Sequence, residues 1–255
     1  MRLDRLSAVL KGLVVLCVMV PMHSRAQVEV EGFYWLMTLE GDAAVGLGGI
    51  VGTDIDLESD LGYGDEEAVP GATLVLGDDH QFGVTFFQLD VSANSRINRP
   101  IRFSNLDFAV DAAVKSDVEA TLVRGFYRWM IGNDTLRGGP VLGGQYFDVT
   151  AKASAEGIGR ASAQVEAGMP VVGLAAEARP AEWLSLRAGG VGIRWDIDDV
   201  EITYIDLDAL VSVTAGPIYG GVGYRHIIID GEDGGEPITA DLTFSGPVAV
   251  IGLNW

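Results

Sequence analysis

Ten runs with partial period-two alternation follow one another along this chain: 28–40, 68–77, 81–94, 116–131, 135–150, 168–179, 183–195, 200–214, 217–229 and 238–255. The connections between them alternate in length. Asp78-Asp79-His80, Gly132-Asn133-Asp134, Arg179-Pro180-Ala181-Glu182 and Ala215-Gly216-Pro217 are tight, whereas 41–67, 95–115 and 151–167 are long. The two remaining connections, 196–199 and 230–237, are shorter but strongly acidic. Tight turns on one rim and long polar loops on the other are the pattern of a transmembrane β-barrel, with both chain ends on the tight-turn side. The expected fold class is therefore all-β, a single antiparallel up-and-down transmembrane β-barrel of about ten strands, with eight or twelve as the neighbouring counts. No domain boundary interrupts 27–255.

Three runs show two distinct faces. Between 200 and 214, Ile205, Leu207, Ala209, Val211 and Val213 oppose Tyr204, Asp206, Asp208 and Ser212. Between 168 and 179, Val172, Leu174, Ala176 and Ala178 oppose Gly173, Glu177 and Arg179; between 116 and 131, Val123, Tyr127 and Trp129 oppose Arg124 and Arg128. A lipid-facing row must be apolar, because a Lys or Arg at the bilayer midplane costs ~2 to 4 kcal/mol, while the opposite row faces a lumen and tolerates charge. Near Gly246-Pro247 the parity switches, which predicts a bulge or a passage out of the membrane. Phe33, Tyr34, Trp35, Tyr127, Trp129, Trp183, Trp195 and Trp255 gather towards strand ends, as interfacial girdles do.

Composition narrows the alternatives. Seventeen Lys and Arg against 36 Asp and Glu exclude nucleic-acid binding through a basic face. Thirty-four glycines in 255 residues are about twice the usual ~7% and disfavour a helical bundle. Residues 1–26 read as a secretory signal peptide: Arg2, Arg5 and Lys11 flank an apolar stretch from Gly12 to Val20, and Ser24-Arg25-Ala26 makes a small-x-small cleavage site. The apolar stretch falls well short of the ~20 residues a membrane-spanning helix needs. Cys17, the single cysteine, lies in that stretch, so the exported chain has no disulfide and is held by burial and backbone pairing.

The last residues, 248–255, put Ala249, Ile251, Leu253 and Trp255 on one face. Here the chain resembles the bacterial outer-membrane β-barrel proteins, whose final strand ends in an aromatic residue read by the barrel assembly machinery. The resemblance covers 27–255 as architecture, and 52–62 (GTDIDLESDLG) looks like a segment of functionally uncharacterised barrels of Gram-negative bacteria. It implies export to the outer membrane of a Gram-negative bacterium, contact with outer-membrane lipid and lipopolysaccharide, and an assembly signal made of Ile251, Leu253 and Trp255. A monomer is expected.

Ten strands lie near the filled end of the barrel series. Counting from the turns puts Arg187 opposite Asp208 and Glu177 diagonal to Arg187; with Arg124, Arg128 and Asp206 these are expected to form a paired-charge lumen network, since buried charges must be paired. The first long loop carries Asp54, Asp56, Glu58 and Asp60 among further acids and no cation. These four are weak candidates for a metal site, because the 12-residue calcium-loop pattern is missing. A solvated acidic loop loosely bridged by Ca²⁺ or Mg²⁺ to lipopolysaccharide is the favoured reading, with no dedicated cofactor. A lipid hydrolase would need His226 with Ser212 or Ser245 on a neighbouring strand, and the heights expected for these serines do not match that of His226. An omptin-like protease would need an Asp pair and an Asp/His pair at the outer rim, but Asp206-x-Asp208 is expected deep, and Asp78-x-His80 lies in a tight turn on the opposite rim. The expected function is an integral outer-membrane barrel with acidic extracellular loops and a structural or surface-interaction role. A narrow small-solute channel is the alternative, and an enzyme the less favoured reading.

Overall fold

A strand surrounded by hydrocarbon has no water for its N–H and C=O groups, so each must pair with a neighbouring strand and the sheet must close. In the computed structural model, which describes residues 27–45, 52–97, 99–103, 106–156, 158–197, 200–233 and 238–255, it does close. The signal-peptide expectation, residues 1–26, lies outside the described residues. Ten long strands form the wall: β1 (Val28–Val45), β2 (Glu67–Leu76), β3 (His80–Arg96), β4 (Ala113–Trp129), β5 (Leu136–Ala155), β6 (Gly159–Ala181), β7 (Leu184–Ile197), β8 (Val200–Ala215), β9 (Ile218–Asp233) and β10 (Ile238–Asn254). Each pairs antiparallel with the next, and β1 closes the ring on β10 from Glu29↔Asn254 to Val45↔Ile238. Among the described residues the extra strands are short: Ile55–Asp56 against β1, Ile131–Gly132 against β5, and a hairpin of Ile101–Phe103 with Leu106–Phe108.

The outward faces define the membrane. Leu174, Ile251 and Val222 are 69%, 67% and 66% exposed, values that large aliphatic side chains adopt in bulk only where the surroundings are not water. On β8 the outward row is apolar from Val213 to Ile205; eight residue steps of ~3.4 Å on a strand tilted by ~40° span roughly 20 Å, close to the ~25 Å of an outer-membrane barrel. Beyond that belt the pattern inverts. On β3, Phe82, Val84 and Phe86 point outward in the belt, but Gln88, Asp90, Ser92 and Asn94 follow them on the same face, while Phe87, Leu89, Val91 and Ala93 are buried inside. The strands thus cross the membrane as a barrel with an apolar outside and continue on the long-loop side as one with a polar outside and an apolar core.

That continuation accounts for a difference from the sequence reading. Residues 151–167 are expected as a loop, yet β5 and β6 stay paired as far as Ala155↔Gly159. Ala151, Ala153, Ala161 and Ala163 face the inner cluster while Lys152, Ser162 and Gln164 face out. Alanine and serine have weak strand propensity, which hides the alternation. The bulge expected at Gly246-Pro247 is also absent. β9 and β10 keep one register through Tyr224↔Pro247 and Arg225↔Gly246. The local irregularity lies on the β1 side, where Leu36 and Met37 pair with Ala68 and Glu67 of β2 but have no partner on β10. Gly246 has φ 158°, and a Cβ there would fall 1.8 Å from the Leu36 carbonyl oxygen. Its own carbonyl accepts the Trp35 indole N–H at 3.2 Å.

The aromatic girdle is a smaller set than expected. Tyr34, Trp129, Trp183 and Trp255 are exposed on the outside, and His80 stacks on both Tyr127 and Trp129 with a 2.7 Å hydrogen bond to the Tyr127 hydroxyl. Phe33 and Trp35 instead turn inward, Trp35 being almost wholly buried, and Trp195 shares the inward parity of Val191. Strand ends carry aromatics on both faces, and run position alone does not separate them.

Replacing Leu174 by Arg is expected to lower the unfolding free energy in lipid vesicles by ~2 to 4 kcal/mol. Asp90→Arg, on the outward face above the belt, is expected to shift it by less than ~0.5 kcal/mol. Denaturant titration followed by tryptophan fluorescence checks both.

Candidate functional site

Period-two alternation sends every second residue of the belt strands into the lumen, and there the charges gather in three groups. At the centre is Asp206 on β8, 2% exposed. Arg225 of β9 donates to it in bidentate fashion, Nε to Oδ1 at 3.1 Å and Nη2 to Oδ2 at 2.7 Å, and Arg124 of β4 donates Nη2 to Oδ2 at 2.7 Å from across the lumen. The Tyr204 hydroxyl donates to the same Oδ2 at 3.2 Å, and Gln145 Oε1 accepts from Arg124 Nε at 2.9 Å. The Arg225 guanidinium also lies 4.9, 5.3 and 5.9 Å from the ring centres of Phe87, Trp35 and Phe33.

Nearer the tight turns, Arg187 of β7 reaches across to β1. Its Nη1 donates to Glu29 at 3.0 Å, its Nη2 bonds Glu31, and the Tyr219 hydroxyl donates to Glu29 and Glu31 at 2.5 and 2.7 Å. Tyr219 reaches them by lying over Gly252, where a Cβ would sit 2.3 Å from its ring. The third group is Glu177, held by Arg137 at 2.8 Å and Arg179 at 2.7 Å, with Arg137 also on Asp78 at 2.8 Å.

The six residues expected to form one network therefore divide. Asp206 and Arg124 pair with each other, Arg187 and Glu177 take other partners, and Arg128 and Asp208 line the cavity without an ion pair. Arg187 lies opposite Leu210, not Asp208, because the β7–β8 connection is tighter than 196–199: β7 runs to Ile197 and β8 starts at Val200. Glu177 is directly opposite Arg187, not diagonal to it. Glu29, Glu31, Arg225, Arg137 and Gln145 complete the groups. The Glu29 and Glu31 signal stands in the sequence as the alternation Val28-Glu29-Val30-Glu31, whereas Arg225 is found only through the β8–β9 register, which sets it opposite Asp208.

Above Asp206 the lumen is filled. Trp35, Val69, Phe87, Leu122, Phe147, Met169, Val191, Tyr204 and Ile227, one from each of β1 to β9, are buried together, and Phe244 of β10 packs against them. Below it lies a cavity of about 300 Å³ that reaches the tight-turn rim at Glu182, Thr214 and Asn254.

The acidic first loop folds onto the long-loop rim. Residues 56–62 make a helical turn, with Asp60 N–H donating to Asp56 O at 3.0 Å and Gly62 N–H to Glu58 O at 3.0 Å. Asp56 Oδ1 accepts the Ser59 amide at 2.8 Å, a bond that holds this carboxyl below its ordinary range. Asp60 is buried and paired with Arg99 at 2.5 Å, and Arg99 also donates to the Asp54 carbonyl. The cation missing from the loop's own sequence arrives from the third connection. Among the described residues no three carboxylate, His or Cys side chains converge as metal ligands, and Glu58 is exposed.

Both histidines among the described residues point outward. His226 lies directly opposite Ser245 on the outer wall, so the height mismatch expected for that pair is not there; the two share no hydrogen bond. Ser212 faces inward opposite Gly221, away from His226. Asp206 is neutralised by two arginines and Asp208 lies deeper towards the tight turns, which leaves no carboxylate pair from this motif at the long-loop rim.

No family model and no curated protein matches the chain. In backbone path it is similar to the outer membrane protease OmpT from Escherichia coli, with a TM-score of 0.61 and 10% identity over 93% of this chain and 99% of that one. The transport unit of the autotransporter AIDA-I from Escherichia coli (TM-score 0.43, 8% identity, 98% and 97% covered) and Ail of Yersinia pestis (TM-score 0.36, 11% identity, 91% and 100% covered) superpose less well. At such identities the likeness is one of fold. The fold is that of bacterial outer-membrane β-barrels, closed, antiparallel and ten-stranded, with transmembrane strands.

Asp206→Asn is expected to cost ~3 to 5 kcal/mol of folding stability, because it leaves two buried guanidiniums without their counter-charge. Gly252→Ala is expected to displace Tyr219 and weaken the β1 end of the barrel, seen as a lower temperature for the heat-dependent mobility shift on a denaturing gel.

Proposed function

We propose that the protein is exported by its N-terminal segment to the outer membrane of a Gram-negative bacterium and acts there as a closed-lumen barrel with a structural or surface-interacting role, its tight turns in the periplasm and its long acidic loops outside. The observation that carries this reading is the apolar plug to which all ten strands contribute. A small-solute channel would need a continuous polar path, and the filled section above Asp206 supports closure instead. An enzymatic role finds no lumen histidine among the described residues, and fold likeness to a protease transfers no chemistry. The face of Ile251, Leu253 and Trp255 remains the proposed assembly signal.

The outer wall above the belt supports a surface facing phosphate-rich lipopolysaccharide through loosely bound Ca²⁺ or Mg²⁺. Asp56, Asp42, Asp241 and Asp230 stand directly opposite one another on successive strands, and like charges so placed repel. Desolvation first, then the neighbouring Asp54, Asp56 and Asp241, raise the Asp42 carboxyl above its usual range. A raised carboxyl means that the folded state binds more protons, so the repulsion is relieved as pH falls through that raised value and is fully present above it.

Purified barrel in planar bilayers is expected to give no discrete conductance steps; reproducible cation-preferring steps would establish the channel instead. Asp42→Asn is expected to raise the unfolding temperature at neutral pH, with the gain disappearing once the pH is below the carboxylate range. Millimolar Mg²⁺ is expected to raise it for the unmodified chain and EDTA to reverse that.

A further inference from the structure

The periplasm-side cavity is the part of the molecule that a purely structural role leaves unused. Its walls carry six guanidiniums and as many carboxylates, and the three groups above neutralise most of them internally. Two opposite charges within the lumen are left over. Arg128 on β4 has a buried Nε without a hydrogen-bond partner, its guanidinium lying 4.7 Å from the Phe126 ring centre. Asp208 on β8 has no ion pair or hydrogen bond among the described residues, and Gly189 opposite it has no side chain to cover it: a Cβ there would already be 3.3 Å from Oδ1. Three strands, β5, β6 and β7, lie between β4 and β8 on the shorter arc of the ten-stranded ring and five on the longer, which sets the two charges on facing walls.

A buried N–H left unpaired in a native lumen needs a partner that the chain itself does not supply. Arg side chains bind carboxylates through parallel N–H donors, and a carboxylate accepts from an ammonium group. Phe126, Val141 and Leu210 give the same cavity apolar wall beside its charged groups. A cavity of about 300 Å³ is at the small end of ligand sites, which run from ~300 to 1,000 Å³.

We propose that this cavity binds a small zwitterion, an amino acid or short peptide with free ends and apolar side chains, its carboxylate on Arg128 and its ammonium on Asp208, entering from the periplasmic rim. The site lies below the plug, so it is a binding site and not a stage of passage. It stands independently of what the outer surface meets.

The test uses the mature barrel folded in detergent micelles, with dialanine as the probe and calorimetry or backbone amide NMR as the readout. N-acetyl-dialanine, which lacks the ammonium, and dialanine amide, which lacks the carboxylate, are the comparison ligands. Dialanine is expected to bind saturably. Each blocked form, and each of Arg128→Gln and Asp208→Asn, is expected to bind at least about tenfold more weakly, the worth of one charge-assisted hydrogen bond. The heat-dependent mobility shift shows that each variant is folded, and if one is not, the blocked ligands on the unmodified barrel still decide. Absence of saturable dialanine binding overturns the proposal, as does equal binding of the blocked forms or of the folded variants. Conductance is read separately, so failure here leaves the closed-barrel reading standing.

Discussion

Hydrocarbon accepts no unpaired peptide group, and the consequences of that single constraint extend through the whole molecule. It makes β1 return to β10 and removes every sheet edge within the belt. It places Leu174, Val222 and Ile251 on the outside, where a water-soluble protein would not put them in such numbers. With the outside assigned to apolar residues, the alternate positions of the same strands must fill a lumen, and that is where the chain's charge can be placed.

Within the lumen the energetics depend on pairing. An isolated carboxylate as buried as Asp206 would be costly, and two guanidiniums, a tyrosine hydroxyl and an aromatic cage around Arg225 compensate it. Because Arg124 comes from β4 and Arg225 from β9, the group ties opposite walls together. Arg187 does the same between β7 and β1. A barrel without disulfides thus gains cross-lumen ties that neighbouring-strand pairing does not provide.

The same strands serve two solvents in succession. In the belt the apolar face looks outward and the charged face inward; on the long-loop side Asp90, Glu119 and Asp148 look outward, while Leu89, Ala120 and Val149 pack inside. The crossover closes the lumen from above and leaves the cavity with Arg128 and Asp208 open to the tight-turn side. Plug, cavity and acidic outer wall are therefore one arrangement, set by where the membrane ends.

The ten strands, the closed ring, the tight rim and the lipid-facing rows of β4, β6 and β8 were legible in the amino-acid order, because alternation and turn residues are local properties and the bilayer imposes them strand by strand; the extension of β5 and β6 through 151–167 was not. So was the inward parity of Asp206, Asp208, Glu177, Arg124, Arg128 and Arg187. Which of these meet was decided only by the closed structure. Partners such as Arg225 to Asp206, Glu31 to Arg187 and Arg99 to Asp60 depend on exact turn length, on register and on distances across the lumen, and a shift of two residues in one connection reassigns a whole row. Local pattern determines the face on which a side chain lies; ring closure determines its neighbours, because contacts across a barrel join residues with no proximity in the chain.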